Sequence, residues 1–298
     1  MKVMATKYIL LDSDDKIERQ CNIWDNYTKL SVDFEGEFNL HVYGEHLCLV
    51  QIYDGKAFYI IDPRSKDVTK TGLDRFFSLS AEKLWFDCQS DSALVYKKYG
   101  LKIKNIKDLR VYAKTLGFQG NLISLEKEFL DIDVKINKKK NQQANWLRRP
   151  IEPENLEYAL LDVAYLMELE PVLEEEIDRR KLRKNAEKAM KSATTVKEPE
   201  PGWKRIGPWR LYDSYQKILI KHLYISRDAI GKRFNVPASR VLDKESMTRI
   251  VMTKKISESD IEMILSKANP RFKSFLSPLV HDSMKKAKEE YEEQRKAK

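Results

Sequence analysis

Cysteine and histidine are scarce in this 298-residue chain, at three and four copies. Cys21, Cys48 and Cys88 are odd in number and far apart, which excludes a disulfide framework or a cysteine zinc site and fits a reducing cytosol. Four scattered histidines do not supply an imidazole zinc site either. Long apolar runs are also missing. No segment approaches the ~20 residues of a membrane span. The start, MKVMATKYILLDSDDK, offers only Ile9 to Leu11 before acids appear, so neither a membrane anchor nor a signal peptide is expected.

Charge, by contrast, is abundant and unevenly divided. Charged residues make up 34% of a chain that is 42% hydrophobic, a globular composition with length enough for two domains. Residues 181–298 carry 28 Lys and Arg against 15 Asp and Glu, a net +13, whereas residues 1–180 have 27 against 31, a net −4. A basic C-terminal half is the footprint of a phosphate-backbone partner. An acidic front half that meets the same polyanion needs metal ions to neutralise it. Together these point to a metal-dependent enzyme acting on nucleic acid.

The acids have a pattern. In LSVDFEGEF (Leu30–Phe38) a strand begins with Leu30 and Val32, and Asp33 and Glu35 follow two residues apart. Side chains alternate along a strand, so this pair shares one face. Paired carboxylates repel and lose hydration unless a cation lies between them. A D-x-E pair alone is nevertheless more often a solvated surface feature. Glu37 would share the same face on a continued strand, so leaving it out of the site requires the strand to twist or end at Gly36. In FDCQSD, Asp87 ends a strand and Asp91 opens a helix, where a carboxylate also serves as a cap. In Tyr158-Ala-Leu-Leu-Asp162 a phenol and a carboxylate lie one helical turn apart on one face. Taken singly, a half-buried tyrosine and a surface acid explain that spacing as well.

The wider pattern predicts strands at Tyr8–Leu11, Tyr27–Phe34, His46–Tyr53, Lys56–Asp62 and Lys83–Asp87, the middle two joined by a two-residue Asp54-Gly55 hairpin turn. Helices are expected at Asp14–Trp24, Leu73–Leu79, Asp91–Tyr99, Ile106–Leu116 and Leu122–Leu130, and as one long run from Glu154 to about Lys191. After a charged, Pro/Glu-rich stretch come only helices: Leu211–Tyr224, Arg227–Phe234, Lys244–Ile250, Ser257–Ser266 and Arg271–Gln294. Their N-terminal signals are Asp243 and a Ser257/Asp260 capping box.

In this order and spacing, D-x-E on the first long strand, an Asp on the helix after the fourth strand and Y-x-x-x-D on a late helix resemble the DEDDy 3′→5′ exonucleases, and more closely the ribonuclease D family. LCLVQIYDGKAFYIIDP, SDSALVYKKYGLKIKNIKDLRVYAK and NWLRRPIEPENLEYALLDVAYL carry the likeness over roughly residues 28–175. GPWRLYDSYQKILIKHLYISRDAIGKRFNVPASRVLDKESM resembles an HRDC module, a helical nucleic-acid-binding unit.

The resemblance implies an α/β, ribonuclease H-like mixed-sheet exonuclease domain over residues 1–180, a linker over 181–202, and a small all-α HRDC-like domain over 203–298. It implies that Asp33, Glu35, Asp91 and Asp162 hold two divalent ions, Mg²⁺ or Mn²⁺, and that Tyr158 orients the attacking water. Where the family has a His-Ala-Gly-type run before the third acid, this chain has Phe86-Asp87-Cys88-Gln89-Ser90, so Asp87 is a rival ligand and Asp108 a weaker one. Lys138, Lys139 and Lys140 are candidates for substrate phosphates or a solvated loop. Phe34, Trp146 and His41 are candidates for stacking on bases, with core packing the competing role for Phe34 and Trp146. The implied activity is 3′→5′ exoribonuclease action on RNA, tRNA precursors being the family's typical substrate, by a cytoplasmic monomer. Two alternatives stand beside it: a DNA 3′→5′ exonuclease, and a non-catalytic RNA-binding adapter, which the full set of acids argues against.

Overall fold

Helix caps and strand alternation account for most of the elements. The computed structural model describes residues 7–133, 144–196, 200–253 and 255–297. The chain divides into two units, residues 1–37 with 45–198, and residues 38–44 with 199–298.

The first unit opens with β1 (Tyr8–Leu11) and α1 (Asp14–Trp24). The Ser13 side chain caps α1 by accepting from the Lys16 N–H, Asp14 and Asp15 suit its positive end, and Ile17, Cys21 and Trp24 form its buried stripe. Then follow β2 (Lys29–Phe38), β3 (Glu45–Tyr53), β4 (Phe58–Ile61), α2 (Lys70–Phe77), β5 (Glu82–Trp85), α3 (Gln89–Tyr99) and β6 (Ile106–Asp108). The helices α4 (Leu109–Thr115), α5 (Leu122–Leu130), α6 (Pro153–Ala164), α7 (Leu166–Arg179) and α8 (Arg183–Thr194) complete it. The six strands form one mixed sheet in the order β1-β4-β3-β2-β5-β6. β1 runs parallel to β4, β3 antiparallel to β4, and β5 parallel to both of its neighbours, β2 and β6. On one side Val32, Phe34, Val50, Ile52 and Trp85 pack with Trp24, Phe76 and Phe77. On the other, Leu49 and Ile60 meet Trp146, Tyr158 and Leu160, while Leu84 meets Leu109, Leu166 and Leu169.

Five expectations change. β2 does not stop at Phe34 or Gly36 but runs to Phe38. The hairpin loop has four residues, 54–57, because the Asp54 carboxylate accepts from the backbone N–H of Lys56 (3.0 Å) and Ala57 (2.9 Å) and widens the turn. The helix predicted at 106–116 begins as the edge strand β6, since Ile106 to Asp108 pair with Lys83 to Trp85. The long helix from 154 is three helices, interrupted at Tyr165 and at Lys181, whose φ is +57°. In the second unit, 211–224 and 227–234 belong to one helix.

That second unit has α9 (Ser214–Phe234), α10 (Ala238–Val241), α11 (Lys244–Met252), α12 (Glu258–Leu265) and α13 (Lys273–Lys296) around their own core of Leu219, Leu223, Met247, Ile250, Leu276 and Val280. Asp213 with Gln216, and Ser257 with Asp260, form capping boxes. Residues 38–44 join this unit: the Tyr43 hydroxyl donates to Asp228, and the Leu40 carbonyl accepts from Arg240 at 3.1 Å. Among the described residues no helix is long and apolar enough to cross a membrane.

Candidate metal centre

β2 and α6 bring the acids together. Val32 and Phe34 point into the core, so the alternation that buries them turns Asp33 and Glu35 to the opposite face. The buried stripe of α6, Tyr158, Ala159 and Val163, seats that helix on the sheet and brings Asp162 to the pair. One oxygen from each of Asp33, Glu35 and Asp162 lies within 4.8 Å of the others. Asp33, Glu35 and Asp91 form no ion pair among the described residues. Burial raises the Asp33 and Glu35 carboxyls well above the ordinary range, and the charges of Asp162 and Asp91 raise them further. Hard oxygen donors at this spacing fit a hard divalent cation.

Asp91 is near enough to act on Asp33 and Glu35 but is not one of the three converging acids. It sits in the first turn of α3, three residues after the helix-capping Cys88, and is not itself the cap. Burial pushes its carboxyl up to about 7, opposed by a hydrogen bond from the Trp85 indole N–H to Oδ2 at 3.0 Å.

The rival acids have other work. Asp87 adopts a left-handed turn (φ +71°) and is ion-paired with Arg110. Asp108, 2% exposed, accepts from the backbone N–H groups of Asp87 (2.8 Å), Cys88 (3.0 Å) and Arg110 (3.0 Å). It clamps the turn that launches α3, and so fixes where Asp91 starts.

Glu37 is buried despite the continuing strand, bonded through its backbone to the Cys48 thiol and outside the three-acid group. Tyr158 is 6% exposed. Its hydroxyl donates to Asp162, and burial together with the surrounding acids raises its pKa, so it stays protonated.

Two stacking candidates are corrected. Phe34 lies edge-on to Trp85 at 4.5 Å and beside Phe77, and Trp146 is 3% exposed within the Tyr158 cluster, so neither offers a face to a base. His41 is half-buried in the 38–44 segment. Lys138, Lys139 and Lys140 lie outside the described residues. Sequence reading missed Trp85 altogether. Its signal was available, because a buried indole N–H requires an acceptor and acids follow it closely.

Similarity to known proteins extends over both units of the chain. A ribonuclease D of Jannaschia sp. is 26% identical over 246 residues, which cover 79% of this chain and 62% of that protein. A ribonuclease D of Haemophilus influenzae is 27% identical over 163 residues, covering 53% and 39%. The chain thus spans less than two thirds of the length of these relatives. Its fold resembles the catalytic core of RRP6 from Trypanosoma brucei (TM-score 0.73, 18% identity, 96% of this chain and 81% of that one). It equally resembles Escherichia coli RNase D, an exoribonuclease involved in structured RNA processing (TM-score 0.73, 19% identity, 95% and 76%). The model of the 3′-5′ exonuclease family matches residues 8–178, the segment that holds every acid of the cluster, and the chain belongs to that family.

Proposed function

We propose that the protein is a divalent-metal-dependent 3′→5′ exoribonuclease of the ribonuclease D type, releasing nucleoside 5′-monophosphates from RNA 3′ ends, with tRNA precursors as substrates. The observation that carries this is the convergence of Asp33, Glu35 and Asp162 beneath a protonated Tyr158, inside a 3′-5′ exonuclease domain. Asp33, Glu35, Asp91 and Asp162 would hold two ions, Mg²⁺ or Mn²⁺, which when bound supply Lewis-acid stabilisation of phosphoryl and leaving oxygens.

Tyr158 has a defined part. Its proton is committed to Asp162, so the phenolic oxygen is left as an acceptor for a water O–H. A protonated phenol cannot take the water's proton, so Tyr158 orients the nucleophile and does not act as the base. Water adds to the terminal phosphorus, the P–O3′ bond breaks, and a proton ends on the released 3′ oxygen.

The helical unit supports a nucleic-acid partner. Exposed Arg233 and Arg271 lie 5.4–5.9 Å from the rings of Phe234, Phe272 and Phe275 and have no acidic partner among the described residues. Three buried thiols in no disulfide suit a cytoplasmic enzyme.

The test is release of 5′-mononucleotides from a 3′-extended tRNA and from single-stranded DNA, with Mg²⁺ or Mn²⁺ and with chelator. Metal-dependent release from the tRNA, faster than from DNA, is expected. Faster release from DNA would assign the DNA reading, and binding without release under any metal would assign the adapter.

A further inference from the structure

Two tryptophans in the exonuclease unit give their indole N–H to an aspartate, and the two aspartates differ. Trp24 donates to Asp54 Oδ2 at 3.3 Å, and the other oxygen of Asp54 is already engaged by the backbone of Lys56 and Ala57. That carboxylate is fully used in building a turn. Trp85 donates to Asp91 Oδ2 at 3.0 Å, and no hydrogen bond to the other oxygen is formed among the described residues.

Trp85 is also placed to do more than satisfy its own N–H. It is the last residue of β5, 0% exposed, and its ring meets Phe34 edge-on with centroids 4.5 Å apart and planes at 82°. Phe34 is the residue between Asp33 and Glu35, packed on the face of β2 opposite to theirs. A single rigid side chain therefore touches the acid on α3 and the ring of Phe34, the residue between the two acids on β2. Asp91 itself comes from a helix, and the clamp of Asp108 fixes only its backbone start.

We propose that Trp85 is a positioning residue for the ion site: its indole locks Asp91 in one rotamer with a single oxygen available, and its ring on Phe34 fixes that oxygen relative to Asp33 and Glu35. This rests on the reading of Asp91 as an ion ligand. Groups that orient metal ligands in this way are worth about 10–100-fold in metal affinity.

The test is Mn²⁺ binding to the intact protein by titration calorimetry, read independently of turnover. Trp85→Phe keeps an aromatic ring and removes the N–H, and it is expected to weaken Mn²⁺ binding about 10–100-fold. Trp24→Phe, which removes the same group at the turn, leaves binding unchanged. In an Asp91→Ala background, Trp85→Phe has no further effect. Wild-type affinity in Trp85→Phe overturns the role of Trp85 while leaving the acid site standing, whereas a wild-type protein that binds no Mn²⁺ overturns the acid site and this inference together.

Should Trp85→Phe fail to fold, the wild type decides. In ¹⁵N spectra, with indole signals assigned by replacing the other four tryptophans one at a time, the Trp85 N–H is expected to shift on Mg²⁺ saturation and that of Trp24 to stay. An unmoved Trp85 signal overturns the proposal.

Discussion

Two groups of half-buried charge occupy the same sheet and are built on opposite rules. Near the start of β2 and β5, where Lys29 and Glu82 are register partners, the charges alternate in sign. Lys107 reaches Glu170 (2.5 Å), Glu174 (2.8 Å) and Glu82 (3.2 Å), and Lys29 also pairs with Glu170. The Glu170 side chain is only 5% exposed, yet it faces two ammonium groups. Further along β2, Asp33 and Glu35 meet Asp162 with Asp91 nearby, acid against acid. Charges that only have to hold helix to sheet are neutralised within the chain. Acids gathered on acids, as at Asp33, Glu35 and Asp162, are the arrangement expected of a site that takes up a cation.

Substitutions should therefore act in opposite directions at the two places. Asp33→Asn is expected to lower nuclease activity about 10³-fold or more, as loss of a transition-state contact does. The same change should raise the stability of the metal-free protein by about 1–2 kcal/mol in urea melts, because it removes like-charge repulsion. A variant that loses stability would break the contrast. Lys107→Met should do the reverse, costing about 2 kcal/mol of stability by removing one of the two ammonium groups on buried Glu170, with kcat at low temperature unchanged.

Tyr158→Phe separates positioning from ion binding at the acidic cluster. About a 10²-fold fall in kcat with unaltered Mn²⁺ affinity is expected, and a change confined to affinity would assign the hydroxyl to the ion.

Lys83 is a third kind of buried charge, with no counter-ion among the described residues. It is 0% exposed, donates to the carbonyls of Leu79, Ala81 and Lys104, and burial pushes its ammonium down from 10.5 to about 8. Below about pH 8 it is charged in both states and the burial cost is fully present. Between about 8 and 10.5 the unfolded chain binds the proton that the folded one has released, so stability rises with pH across that window. Relative to Lys83→Met, the wild type should gain about 2 kcal/mol from pH 7.5 to 10.5 in denaturant titrations.

Much of this was legible in the residues because it depends on local rules. Asp33 and Glu35 share a face by strand alternation, Tyr158 and Asp162 by helical spacing, and Ser257/Asp260 form their cap by sequence separation alone. What was not legible needed a distant partner. Ile106–Asp108 has no strand pattern of its own and becomes β6 only because β5 presents an open edge. Asp87 and Asp91 look equivalent in FDCQSD, and their different partners, Arg110 for Asp87 and the Trp85 indole for Asp91, are reached only after folding.

The sequence by itself determined most of the strands and helices, the uneven division of charge and which acids share a face, since periodicity, composition and short spacings are properties of the chain, and its family resemblance pointed to the fold class. Tertiary structure decided which acids converge, why Glu37 and Asp87 stand apart, and what holds Asp91 in place. Those are distances between segments far apart in sequence, set by how β2, β5 and α6 pack, and no local pattern encodes them.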